Sequence, residues 1–232
     1  MRLAAATAAY ADDLAHVRRL SPATVRAYAA DLRDLQNATG DVELAEVDLE
    51  GLREWLWRAT QRGDARATIA RRTASVRGFF AWAQEHGIVA VDPSLRLVAP
   101  KRARTLPKVA TAPAMTAVLD AAAARAGEGD AIALRDAAIL ELLYASALRV
   151  AELCGMDVDD IDAHRRTVRV IGKGSKERIV PFGGPAASAL DAYLVRGRPV
   201  LAARGQGSPA VFLGARGGRL GTRAAYDVVS RA

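Results

Sequence analysis

Residues 142–182 read LLYASALRVAELCGMDVDDIDAHRRTVRVIGKGSKERIVPF, and this stretch decides the architecture around it. It opens as the end of a buried helix, passes into a short helix carrying Arg149, and becomes a hairpin with Lys173 at its tip. Val168 and Val170 alternate with Arg169 as a strand requires, and Ile179-Val180 returns around the Gly172-Lys173-Gly174 turn. An arginine and a lysine displayed on separate rigid elements suit a phosphate. Each signal alone is ambiguous. Arg149 sits among Leu148, Val150 and Leu153, where an unpaired charge is costly to bury. Glu152 shares its helical face, so an internal salt bridge competes with a ligand grip. The glycines around Lys173 permit a tight turn and close ligand approach, yet a lysine in such a turn is more often simply solvated. A nucleotide-binding P-loop is excluded, because Gly174 follows Lys173 and the context is strand-turn-strand.

Working outward, the first ninety or so residues read as helical throughout. Leu3, Tyr10, Leu14 and Val17 fall on one face of a first helix. Ser21-Pro22 supplies a cap and a first-turn proline for a second, striped by Val25, Tyr28, Leu32 and Leu35. Leu52, Trp55, Leu56 and Ala59 mark a third. Asp64 is the expected cap of a long fourth helix, with Ile69, Thr73, Val76, Phe80 and Ala83 inward. Four amphipathic helices with short loops make a small bundle. On the fourth, Arg66 and Arg77 flank one edge of the apolar stripe and Arg72 the other, which suits a helix laid along a DNA groove or, equally, a solvated face.

Residues 91–111, VDPSLRLVAPKRARTLPKVAT, hold three prolines and the bases Lys101, Arg102, Arg104 and Lys108 without helical period. They read as an extended basic linker, able to track a phosphate backbone or merely to tether. Beyond it, Met115, Val118, Leu119 and Ala122 stripe a helix, and Ile132 to Tyr144 is apolar almost all round, as a central buried helix is. Pro185 starts a helix with Ala186, Leu190, Tyr193 and Leu194 inward. Val211 to Gly214 is a short extended piece, and Thr222 begins a last helix. Expected domains are thus 1–90, a linker at 91–111, and 112–232.

Composition bounds the function. The 232 residues carry a net charge of +7, with 51% apolar and 25% charged side chains. The pI near 10.1, dominated by arginine, favours nucleic acid as partner, although a GC-rich genome also inflates arginine and alanine. Cys154 is the only cysteine, which excludes a disulfide or thiolate metal site and reads as a small core residue. No window approaches the roughly 18 unbroken apolar residues of a membrane span, and the N-terminus lacks signal-peptide logic, so a cytoplasmic protein is expected.

Taken together, YASALRVAEL, an acidic connection and RVIGKGSKERIVPF resemble the tyrosine recombinase (phage integrase) family, most closely its bacterial Xer branch. LSPATVRAYAADL, TIARRTASVRGFFAWAQEHG, DPSLRLVAPK and LPK extend the resemblance over nearly the whole chain. It implies a mainly α protein in the form of a C-shaped clamp. Its N-terminal four-helix DNA-binding bundle would be core-binding and SAM-like, its catalytic domain mixed α+β with a small antiparallel sheet. It further implies that Arg149 grips non-bridging oxygens of a scissile phosphate, that Lys173 protonates the departing 5′ oxygen, and that Glu152 supports the site. The expected DNA contacts are Arg66, Arg71, Arg72 and Arg77 on the fourth helix, Lys101, Arg102 and Arg104 in the linker, and Lys176 and Arg178 on the hairpin. The family uses no metal and no cofactor. The implied partners are a double-stranded DNA recombination site, a second Xer-type recombinase in a tetramer, and a division-associated DNA translocase, with no membrane involved. A phage or integron integrase, and a DNA-binding accessory protein without catalysis, are the alternatives.

The departures from the family pattern matter as much. Members carry, further downstream, a His-x-x-Arg element, another His or Trp, and a nucleophilic Tyr. None of these is found here, so a C-terminally truncated, inactive chain is expected. His16-Val17-Arg18-Arg19 spells the element in the wrong domain, and Tyr10, Tyr28, Tyr144 and Tyr193 fit helix stripes. Tyr226 precedes the missing element. Ala147 replaces the glycine usual before the Leu-Arg pair, a change expected to tighten the approach to Arg149.

Overall fold

The computed structural model describes residues 1–100, 110–172 and 176–232. The chain divides into two units, Met1–Pro107 and Lys108–Ala232. Lys101, Arg102, Arg104 and Lys173 lie outside the described residues.

The first unit is built from α1 (Leu3–Asp12), α2 (Pro22–Thr39), α3 (Leu49–Gln61) and α4 (Arg66–Glu85). Local chemistry sets their ends. Ser21 Oγ accepts from the Thr24 amide at 3.2 Å and Asp48 from the Gly51 amide at 2.8 Å, satisfying amides that a helix start leaves without partners. The apolar stripes meet in one core, where Leu3, Tyr10, Leu32, Leu35, Trp55, Val76, Phe79 and Phe80 are all buried. Tyr10 packs edge-on to Phe79 at 5.5 Å and against Trp82 at 5.4 Å. Its hydroxyl crosses α4 so closely that a Cβ at Gly78 would lie 2.6 Å from it.

Two expectations fail here. Val17 is 74% exposed rather than on the core face. Residues Asp13–Val17 form a π-turn, whose wider winding rotates Val17 out of the α1 stripe. Asp64 does not cap α4: the cap position is Ala65, without a side-chain bond, and the Asp64 carboxylate instead lies 3.0 Å from Arg72 Nη1.

The second unit surrounds α6 (Ala131–Ser146), begun by Asp130 accepting from the Ala133 amide at 2.8 Å. Packed on α6 are α5 (Ala112–Gly127), α8 (Gly184–Ala192), α9 (Arg198–Ala202) and α10 (Thr222–Arg231). Another π-turn, Tyr193–Gly197, joins α8 to α9. Tyr144, expected on the buried stripe of α6, is 58% exposed, because it projects from the side of the helix opposite the buried Leu142 and Ser146. Between α6 and α8 come α7 (Val150–Gly155) and an antiparallel sheet ordered β1-β2-β3. Its strands are β1 (Ile161–Asp162), β2 (Thr167–Ile171) and β3 (Glu177–Pro181). The two-residue β1 falls in a segment that reads from sequence as a plain polar connection. In the β2–β3 register Val168 faces Val180 and Val170 faces Arg178, so Arg178 shares the sheet face on which both β2 valines are buried.

Candidate active site

Helix α7 is barely longer than one turn, and it is held at both ends by side chains. At its start, Arg149 stands in the cap position, and the Glu152 carboxylate accepts from the Arg149 amide at 2.8 Å. The same carboxylate accepts from Arg149 Nη1 at 2.8 Å. At its far end, Arg219 Nη1 donates to the carbonyls of Cys154, Gly155 and Met156 at 3.1, 3.0 and 3.2 Å, while Nη2 engages the Asp157 carboxylate. Those are carbonyls a helix end leaves unpaired, and a cation there also suits the helix dipole. The extended stretch at 208–213 seals this end, with Val211 N bonded to Met156 O and Val158 N to Pro209 O. Tyr193 anchors that stretch, its hydroxyl donating to Val211 O and accepting from Leu213 N, both at 3.1 Å. Cys154 is buried in α7, and burial pushes its thiol above the usual range.

The turn before Arg149 is tight. Ala147 closes α6 with φ +48°, a left-handed conformation that costs a residue with a side chain about 1 kcal/mol relative to glycine. The strain of holding a residue with a Cβ in this conformation is one consequence of the departure from glycine.

Glu152 is the hub of the site. Its side chain is 3% exposed, whereas that of Arg149 is 67% exposed. Arg178 reaches across from β3 with a two-pronged grip, Nη1 to Oε1 at 2.5 Å and Nη2 to Oε2 at 2.8 Å. That fork, aided by the Arg149 bonds and opposed by burial, holds the carboxyl down at about 2 instead of 4.5. Gly172, which follows β2, sits against the same group. Gly172 N donates to Lys176 O at 2.7 Å, closing the described ends of the turn. A Cβ at Gly172 would lie 3.3 Å from both Arg178 Nη1 and Glu152 Oε1. The ends of the Lys173 turn and the base of Arg149 are therefore joined through one carboxylate. With its amide and Nη1 tied to Glu152 and its side chain 67% exposed, Arg149 keeps Nε and Nη2 to donate to phosphate oxygens without unfolding its own support.

The other basic residues divide. Arg66, Arg77 and Lys176 are exposed, and Arg66 and Arg77 make no ion pair among the described residues. Arg71, Arg72 and Arg178, expected to reach DNA, are engaged within the fold. Arg71 bonds to Asp31 and to Ala27 O. Arg72, 12% exposed, lies 3.2 Å from Asp34 and 3.0 Å from Asp64, with its guanidinium over the Trp55 ring at 5.7 Å. The physical reason is shared: an arginine at the edge of a buried stripe is drawn to the nearest acid, although Arg72 gains charge proximity alone, its Nε and Nη1 making no hydrogen bond among the described residues. Arg178 follows the same logic on its sheet face. Arg219 escapes sequence reasoning entirely, since nothing but its place after a glycine-rich turn distinguishes it from other surface arginines.

A tethered arginine beside a glycine-bounded turn, in a helical α+β unit that follows a helix bundle with exposed arginines on its fourth helix, suits a protein that handles phosphate esters of nucleic acid. Comparison with known proteins sharpens this. Residues 110–232 match the phage integrase family, and residues 8–87 match the phage integrase N-terminal SAM-like domain. The chain belongs to the phage integrase family of tyrosine recombinases. It is 50% identical over 220 residues to Tyrosine recombinase XerC of Mycobacterium sp. (strain KMS), covering 93% of this chain and 73% of that protein. To Tyrosine recombinase XerC of Mycobacterium tuberculosis (strain CDC 1551 / Oshkosh) it is 50% identical over 208 residues, 89% of this chain and 70% of that one. Among solved structures, a lambda integrase(75-356) dimer bound to a COC′ core site superposes with a TM-score of 0.71 at 18% identity, over 100% of this chain and 80% of that chain. A lambda integrase tetramer bound to a Holliday junction gives 0.69 at 17% identity, over 100% of this chain and 65% of that chain. The likeness to these structures is one of fold.

Proposed function

We propose that this chain grips DNA for a site-specific recombinase of the XerC type. The whole reaction cuts one strand when a tyrosine oxygen attacks the scissile phosphorus, forming a 3′-phosphotyrosyl link and releasing a 5′-hydroxyl. An incoming 5′-hydroxyl then attacks that link and returns the proton-bearing tyrosine, so strands are exchanged without net hydrolysis. In this reading Arg149 binds non-bridging oxygens and stabilises the crowded phosphorus of the transition state. Glu152 positions it, and Lys173 protonates the departing 5′ oxygen as general acid. Arg66, Arg77 and Lys176, together with Lys101, Arg102 and Arg104, contact the phosphate backbone. The recombinase works in a tetramer with a second Xer-type protein on a short site, in the cytoplasm. It resolves chromosome dimers at cell division in concert with a DNA translocase.

The observation that carries this reading is the open guanidinium of Arg149 on a buried, doubly bonded carboxylate, in a chain of this family. No His-x-x-Arg follows Lys173 in the 232 residues, which supports a second element: by themselves they bind without cutting. The test uses a nicked suicide duplex carrying the recombination site. The gene product with a downstream His-x-x-Arg and tyrosine forms a covalent adduct, while the 232-residue chain retains the duplex and forms none. An adduct from the 232 residues alone would overturn the second element; no adduct from the longer form would overturn the first.

A further inference from the structure

Arg149 stands beside an anion that is strong enough to neutralise it. Left to themselves, a guanidinium at a helix cap and a carboxylate three residues on form a closed pair, and a closed pair takes up a phosphate poorly. The geometry around Glu152 differs from that simple pair. Both carboxylate oxygens are occupied by the fork of Arg178, at 2.5 and 2.8 Å, while Arg149 contributes one Nη1 bond and its backbone amide. The three side chains together hold two positive charges and one negative, and the surplus is presented on the 67% exposed Arg149 rather than on the 38% exposed Arg178.

We propose that Arg178 is a positioning residue, which holds the charge of Glu152 so that the Arg149 guanidinium stays available to a backbone phosphate. This role rests on the phosphate-gripping reading of Arg149. It gives Arg178 a task other than contacting DNA, and it ties that task to the hairpin. Arg178 lies on β3, and Gly172 at the end of β2 packs within reach of the same two groups. Loss of the Arg178 fork leaves Arg149 as the remaining arginine partner of Glu152, with the full carboxylate charge directed at it.

The salt dependence of DNA binding tests this, because each phosphate neutralised contributes about 0.9 to the slope of log affinity against log salt. The probe is a fluorescently labelled random-sequence duplex, titrated with the 232-residue chain. Arg149→Ala lowers the slope by about 0.9, the loss of one phosphate contact. Arg178→Ala lowers it by a similar amount, since Glu152 then takes Arg149. The double variant Arg178→Ala/Glu152→Gln regains the lost slope, which counts the phosphates neutralised and not how well Arg149 is aimed, because no carboxylate remains to capture Arg149. A control pairs Arg178→Ala with Asp159→Asn, which restores the same net charge at an exposed acid away from Arg149 and does not return the slope. Were Arg178 itself a phosphate contact, the Glu152→Gln double variant would stay low, and the proposal would fall. A lower melting temperature with an unchanged slope would reduce Arg178 to a structural role and equally overturn it. An unchanged slope for Arg149→Ala would instead refute the reading of Arg149 on which the role of Arg178 rests.

Discussion

Replacing Glu152 by glutamine removes the charge on which two arginines and the cap of α7 converge. The carboxylate accepts four bonds, from the Arg149 amide and Nη1 and from both prongs of Arg178. A hydrogen bond to a charged group contributes about 1.5–3 kcal/mol net. Simple addition overstates the loss here, since both arginines are open enough to be rehydrated and glutamine keeps one acceptor oxygen. Two opposing effects then leave a net cost of about 2–3 kcal/mol, carried mainly by the lost cap and by two guanidinium groups facing each other without an anion. For a unit of this size that lowers Tm by about 10 °C. The pH dependence gives a second check. The carboxyl is held at about 2 against 4.5 unperturbed, so its stabilisation is complete above pH 4.5 and disappears as pH falls through 2. The gap between wild type and Glu152→Gln, followed by urea unfolding from pH 7 to pH 2, therefore narrows on the acid side. Parallel curves across that range, or a cost below about 0.5 kcal/mol at pH 7, would refute the account of Glu152 as an anionic hub.

Three other variants probe the surroundings. Ala147→Gly relieves a left-handed residue at φ +48° and raises stability by about 1 kcal/mol, less the entropy glycine adds to the unfolded chain; thermal melting reads the sign. Gly78→Ala puts a methyl 2.6 Å from the Tyr10 hydroxyl inside a packed aromatic cluster and lowers stability by about 1–2 kcal/mol, despite alanine's better helix propensity. Arg219→Ala strips the last carbonyls of α7 of their donor, costs about 1–2 kcal/mol, and speeds hydrogen exchange in α7 before it affects α6.

Much of this molecule is written in short-range pattern. The apolar stripe Leu52, Trp55, Leu56 and Ala59 needs only the helical period to be read, and all four are buried. Ser21-Pro22 announces a helix start through local bonding, and the valine alternation around a Gly-Lys-Gly turn announces the hairpin. Glu152 at three residues from Arg149 is legible for a local reason too, because an acid at the third helical position reaches back to the residue that caps the helix. The features that escaped depend on winding or on distance. The π-turn that throws Val17 into solvent needs a hydrogen-bond shift that no residue type signals. Asp64 reads as a cap by its position, yet a deeper arginine, Arg72, claims its carboxylate.

The bundle, the hairpin, the family and the pair Arg149–Glu152 are all readable from residue order alone, because each rests on spacing along a single element or on a contiguous motif. Which arginines remain open is settled by the three-dimensional packing. Arg178 and Glu152 are separated by 26 residues, and Arg219 and Cys154 by 65. Such pairs form when packing brings a buried carboxylate or a row of bare carbonyls within reach of a cation. The energetic penalty for leaving a buried polar group unpaired then selects the partner, and that selection depends on proximity in space rather than on order in the chain.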